Sequence, residues 1–273
     1  MYALPYRNDR YVLVYNCDLF DQAGIEYPNG QITWDDFFSI AEQLQPALED
    51  DQYACMTLPM DVQWMASGRM LSQENDAESM HPIMNWMLNM QDKGLTPSYS
   101  DCIAQDIQQQ CFELGDYAMY IGGSWYLNYL ASDQKKELFS FSWGVTAAPY
   151  WEEDEGYAAT SILTGIGITK QSDNKELAYS FLDFITGEQG AVIMAGEQMI
   201  PAYTNDIIQE VYRESFSGKV LDDSVYKTES SGLKRDTESR VQEVLCDGWR
   251  KAVTRQEKVD QVIEDMKREI ENM

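Results

Sequence analysis

Apolar positions along this 273-residue chain alternate between the periods of strand and helix, and the switches predict most of its elements. Tyr11-Val12-Leu13-Val14-Tyr15 is a β-branched and aromatic run ended by Asn16, which reads as a buried strand. A turn-rich stretch with Gly24, Pro28, Asn29 and Gly30 follows. Thr33 then precedes Trp34, and Asp36 stands three residues after it, the spacing of a capping box with a shorter acid. Trp34, Phe37, Phe38, Ala41, Leu44 and Leu48 keep one helical face and predict an amphipathic helix.

His81-Pro82 opens a second helix, with Ile83, Trp86, Met87 and Met90 on one face and Gly94 as its stop. Ile103 to Leu114 reads as a third, ending at Gly115. Tyr117 to Ile121 is a short strand running into Gly122-Gly123-Ser124-Trp125-Tyr126. A glycine break before an aromatic pair marks a place where backbone comes close to something. Phe141 to Ala147 and Tyr157 to Ile168 read as further strands, separated by an acidic loop over 152–156. Helices are predicted over 175–185, 188–195, 206–216, 237–254 and 258–272, with a polar stretch over 226–236. No internal repeat is visible, and strands mixed with helices at this spacing argue for an α/β fold.

Composition narrows the chemistry. The chain is 44% hydrophobic and 12% aromatic, enough for one large core or two smaller ones. No stretch approaches the ~20 uninterrupted apolar residues a membrane helix needs. Acidic residues number 46 against 20 basic, a net charge of −26, which argues against a nucleic-acid partner. Spread acids such as Asp35, Glu152 and Asp222 read as a solvated surface. The five cysteines are widely spaced and form no C-x-x-C pair, so neither a disulfide scaffold nor a zinc site is indicated. His81 is the only histidine, which argues against a His-rich metal site and against Ser-His or Cys-His catalysis. No metal and no cofactor are expected.

Four segments carry a resemblance. The first runs from Leu4-Pro5-Tyr6-Arg7-Asn8-Asp9-Arg10 through Val14-Tyr15-Asn16 and Asp18-Leu19-Phe20 to Thr33-Trp34-Asp35-Asp36-Phe37. The second is Cys111-Phe112-Glu113-Leu114-Gly115-Asp116-Tyr117-Ala118-Met119 with Gly122-Gly123-Ser124-Trp125. The third joins Trp143-Gly144-Val145 and Ala148-Pro149 to Thr164-Gly165-Ile166-Gly167-Ile168. The fourth runs from Asn174-Lys175-Glu176-Leu177-Ala178 through Thr186-Gly187-Glu188 to Ile200-Pro201-Ala202. In order and spacing they resemble the extracellular solute-binding proteins of carbohydrate ABC importers, the maltose-binding-protein-like class.

The resemblance implies a type II periplasmic-binding-protein-like fold: two α/β lobes that close around a sugar. Laid on that plan, the chain begins at the first crossing, Leu4-Pro5-Tyr6, with most of lobe 1 missing. Residues 1–157 are then lobe 2, 158–225 the returning part of lobe 1, and 226–273 closing helices on lobe 2. Phe181, Leu182, Phe184 and Ile185 would lose their covering sheet and form an exposed patch, so the fragment is expected to self-associate or to derive from a longer product. The resemblance also implies an ABC permease as partner and an extracellular, cell-surface lipoprotein as the full-length form. Residues 1–10 themselves contain no charged and apolar leader pattern.

Sugar rings stack their C–H faces on aromatics and pair their hydroxyls with acids, amides and arginines. Trp125 matches the stacking aromatic of the family and is the leading candidate, with Tyr126 and Ser124 beside it. Asp9 stands where relatives carry a hydroxyl-accepting acid, and Arg7 is a neighbouring donor. Trp64 and Asp61 fall in another cleft segment, though Trp64 also reads as core between Met60 and Met65. Tyr150 and Trp151 are rim candidates, while Trp34, Trp86, Trp143 and Trp249 read as packing. The competing readings are a glycoside-active enzyme using paired acids such as Asp9 and Asp61, a non-binding domain for assembly or partner docking, and a binder of another solute.

Overall fold

The strand predicted over Tyr11–Tyr15 is the second half of a longer one, β1 (Leu4–Asn16), and this length organises the molecule. The structure, a computed structural model, describes residues 3–30, 32–56, 77–151, 161–216, 219–227 and 239–273. Asn16 ends β1 and caps α1 (Cys17–Ala23), its side chain accepting from the N–H groups of Asp18 and Leu19; Gly24, at φ 67°, stops the helix. The expected capping box opens α2 (Trp34–Leu44): Thr33 Oγ1 accepts from Asp36 N, and Thr33 N donates to Asp36 Oδ2, both at 3.0 Å. Thr33's hydroxyl and backbone N–H also hold the Asp36 carboxyl below the usual carboxylate range.

β2 (Tyr53–Met56), α3 (Met80–Asp92) and α4 (Tyr99–Ala104) follow. The third predicted helix is not continuous. Its stretch holds only the end of α4 and a 3-10 segment over Gln109–Leu114, parted where Asp106 turns left-handed at φ 51°. β3 (Tyr117–Gly123) leads through Ser124 into α5 (Trp125–Lys135), and β4 (Trp143–Ala147) completes this part. β5 (Ser161–Ile166) precedes α6 (Lys175–Thr186), α7 (Glu188–Gly196) and α8 (Asp206–Ser215). The short β6 (Val220–Leu221) and α9 (Ser224–Lys227) lead to α10 (Ser239–Val253) and α11 (Val259–Glu271).

The sheet runs β2-β3-β1-β4-β6, mixed in sense, and β5 also pairs with β1. Tyr11–Asn16 lies between β3 and β4, antiparallel to both. Leu4–Arg10 instead pairs with β5, and Arg7 also bridges Pro201. Asn8 N donates to Ile200 O and Ala202 N to Tyr6 O, both at 2.9 Å. Three passes of chain therefore run side by side at one end of the sheet.

Alternation along β1 splits the core between two faces. Val12 and Val14 pack with Tyr120, Leu127, Trp143 and Val145. Leu13 and Tyr15 pack on the other face with Phe20, Phe37, Ala41 and Met90. A third cluster joins α3 to α10 and α11 through Met84, Met87, Trp249 and Ile263. Part of the segment 158–225 packs against these cores, with Ala191 and Ala195 of α7 joining Val12 and Val14. Ile208, Tyr212 and Phe216 enter the first of these cores, and the Phe216 ring meets Trp143 edge-on at 6.2 Å. The amphipathic face of α8 gains a ready apolar surface from β4. On α6, by contrast, Leu182 is buried while Leu177, Phe181 and Phe184 are exposed, as is Leu163 of β5. Among the described residues, no helix is long and apolar enough to cross a membrane.

Candidate functional site

β2, β3 and β4 all point one way, because β2 is parallel to β3 and both β3 and β4 run antiparallel to β1. Their carboxyl ends share the edge where β1 leaves the three-pass ribbon and joins the sheet. In open α/β sheets, ligands bind outside the carboxyl ends of the strands. Among the described residues, two aromatic groups stand there: Trp125 after β3, and Tyr150-Trp151 after β4.

Trp125 is half-buried at the start of α5. Its ring lies over Gly123: a Cβ on that residue would meet the indole at 2.2 Å. Tyr11, opposite Gly123 in the β1–β3 ladder, meets the indole edge-on at 5.7 Å and 82°. The glycine pair of the sequence thus makes room for the chain's own rings, Trp125 over Gly123 and Tyr120 over Gly122. Tyr11, read from sequence only as a strand residue, belongs to this site. Its position opposite Gly123 was the missing signal.

Asp9 is buried at 4% exposure and does not point freely into solvent. Its Oδ1 accepts from Arg7 Nη2 at 2.7 Å and from the Ser124 hydroxyl at 3.1 Å. Ser124 is fully buried, so a ligand hydroxyl cannot replace its contacts without rearrangement. Arg7 remains partly exposed, with 19% of its side chain accessible. Arg10 Nη1 reaches Val225 O at 3.3 Å, and burial lowers the pKa of this guanidinium. Burial raises the pKa of the Tyr212 hydroxyl, with Arg10 opposing and Asp9 adding to the rise.

Tyr126 turns away from Trp125. It is fully buried, and its hydroxyl donates to Glu113 Oε1 at 2.9 Å, because it follows Trp125 by one residue and so faces the core side of α5. Burial pushes the Glu113 carboxyl above its ordinary range, against the pull of that hydrogen bond. Asp61 and Trp64 lie outside the described residues. Tyr150 is held to the start of α2, with Trp34 N donating to Tyr150 O at 3.0 Å. Trp151 is half-buried against Trp34 at 5.8 Å. Trp34, Trp143 and Trp249 are buried packing residues, whereas Trp86 is half-buried. Among the described residues, no cluster of three or more His, Cys, Asp or Glu is arranged to hold a metal ion.

The fold is shared with two-lobe periplasmic-binding-protein-like structures. A sugar transporter from Rhizobium etli in an open conformation superposes with a TM-score of 0.83 at 21% identity, over 100% of this chain and 72% of that one. An ABC substrate-binding protein from Listeria monocytogenes in complex with cycloalternan gives 0.72 at 20% identity, over 100% and 71%. A solute-binding protein from Agrobacterium vitis with bound D-mannitol gives 0.69 at 15%, over 100% and 73%. No curated protein sequence matches the chain. Residues 2–192, which include β1 to β5 and Trp125, match the family described as bacterial extracellular solute-binding protein, and the chain belongs to that family.

Proposed function

We propose that the chain is the substrate-binding component of an ABC importer, taking a neutral sugar or oligosaccharide at the ribbon end of the sheet and delivering it to a permease. The observation that carries the reading is the half-exposed Trp125 ring, fixed over Gly123 at the carboxyl end of β3 beside the three-pass ribbon. A flat aromatic face held this way suits the C–H face of a pyranose, and Arg7 supplies a partly exposed donor nearby. The cycloalternan and D-mannitol of the structural neighbours belong to the same polyhydroxylated class. The cell-surface lipoprotein form belongs to this reading. Titration calorimetry across neutral mono- and oligosaccharides tests it: saturable heat with at least one sugar is expected, and no heat with any of them overturns it.

A second reading has its own observation. Leu177, Phe181 and Phe184 share an exposed apolar face of α6, and Leu163 of β5 is exposed as well, which supports self-association or an assembly role for the α6 side. Light scattering separates the two: a clean monomer at high concentration that still binds sugar removes the assembly reading.

A further inference from the structure

Ser124 occupies the N-cap of α5 yet does not cap it. A serine there ordinarily accepts from an N–H in the first turn, a contact worth about 1 kcal/mol. At Ser124 the backbone is already helical, at φ −57° and ψ −18°, and the hydroxyl turns away from the helix. It donates to Asp9 Oδ1 and accepts from Arg10 N, each at 3.1 Å, while Ser124 N donates to Arg10 O at 2.7 Å. Three bonds thus tie the residue before Trp125 to two consecutive residues of β1. Asp9 extends the tie to Arg7, which sits where β1 pairs with both β5 and Pro201.

We infer that Asp9 is a positioning residue: it diverts Ser124 from helix capping and couples the three-pass ribbon to the backbone that carries Trp125. The inference rests on the reading of Trp125 as the sugar-stacking ring. Asp9 touches no ligand in this account. A tilt of the ribbon at Arg7 reaches Ser124 through one carboxylate, and Trp125 is the next residue along the chain. Its ring lies over Gly123, with Tyr11 at its edge and the first core cluster beside it, so loosening Ser124 lets the start of α5 shift. Hydrogen bonds to a charged group are the stronger kind, which suits a buried carboxylate to this task.

The experiment compares Asp9→Ala, Asp9→Asn, Ser124→Ala and Ser124→Thr in the full chain. The Trp125 contribution to fluorescence is isolated by subtracting the matching Trp125→Phe protein from each. Asp9→Ala and Ser124→Ala are expected to red-shift that component and make it easier to quench with acrylamide. Asp9→Asn keeps an acceptor oxygen and Ser124→Thr keeps the hydroxyl, so both are expected to preserve it. A lowered melting temperature with the Trp125 component unchanged in all four overturns the inference. If Asp9→Ala does not fold, Ser124→Ala carries the same comparison. With a sugar from the calorimetric panel, Asp9→Ala is expected to weaken binding roughly tenfold in the parent chain and little in the Trp125→Phe background. Equal losses in both backgrounds contradict the coupling. Should no sugar bind, the functional reading fails while the fluorescence comparison still decides the coupling.

Discussion

Gly123→Ala places one methyl group under the Trp125 ring. The new Cβ would stand 2.2 Å from the indole, and ordinary contact begins near 3.4 Å, so the ring must retreat by about 1.2 Å. Overpacking of this kind costs about 1–3 kcal/mol when the neighbour cannot move. The indole is the far end of a half-exposed side chain, so it can turn at about 0.5–1.5 kcal/mol of rotamer strain while losing part of its edge contact with Tyr11. Alanine also restricts the unfolded chain, which returns about 0.4–1 kcal/mol. The net loss of stability is therefore near 1 kcal/mol, a melting shift of about 2 °C. Ligand binding is the more sensitive readout, because a stacking face displaced by an ångström no longer meets the sugar. Calorimetry is expected to show affinity lowered about tenfold or more, with the Trp125 emission shifted. Parent-like affinity and emission in Gly123→Ala would refute the placement of the ring.

Gly144→Ala supplies the contrast, since its Cβ would meet the buried Tyr15 ring at 2.3 Å: a larger melting loss is expected, with Trp125 emission unchanged. Phe181→Asp removes an exposed apolar ring from α6, so binding of a hydrophobic dye is expected to fall without loss of melting temperature. The capping box should show in the pH dependence. Because the Asp36 carboxyl lies below its unfolded value of 3.8, its stabilisation is present above that pH and is lost as pH falls through the folded value. Asp36→Ala is thus expected to cost about 1 kcal/mol near pH 7 and progressively less below pH 4, read from denaturant midpoints; a cost that does not change with pH counts against the box.

What the sequence made legible was local. Thr33 and Asp36 lie within one helical turn, so their reciprocal bonds followed from spacing alone. α1 was hidden because Asn16 reads as the end of a strand, and its side chain serves also as the helix cap. The predicted third helix was divided because Asp106 adopts a left-handed backbone that periodicity does not register. Helix α5 went unpredicted, since the glycine pair drew attention to a break and not to the packing of Trp125 over Gly123. Asp9 stood out in the sequence, but its bond to the Ser124 hydroxyl, 115 residues along the chain, did not. Its burial comes from the three-pass ribbon, a long-range arrangement that no window of sequence contains. The burial of Tyr126 has a simpler origin: one step along a helix turns a side chain by about 100°, from the exposed edge to the core.

In the proposed function, Trp125 presents its face to a sugar. Paired titration calorimetry of the parent chain and Trp125→Ala, with the same panel sugar and with folding checked by melting temperature, tests it most directly. Loss of the stacking face and its buried area, about 2 kcal/mol, predicts affinity lowered roughly thirtyfold in Trp125→Ala. Equal affinity in the two proteins would contradict the account.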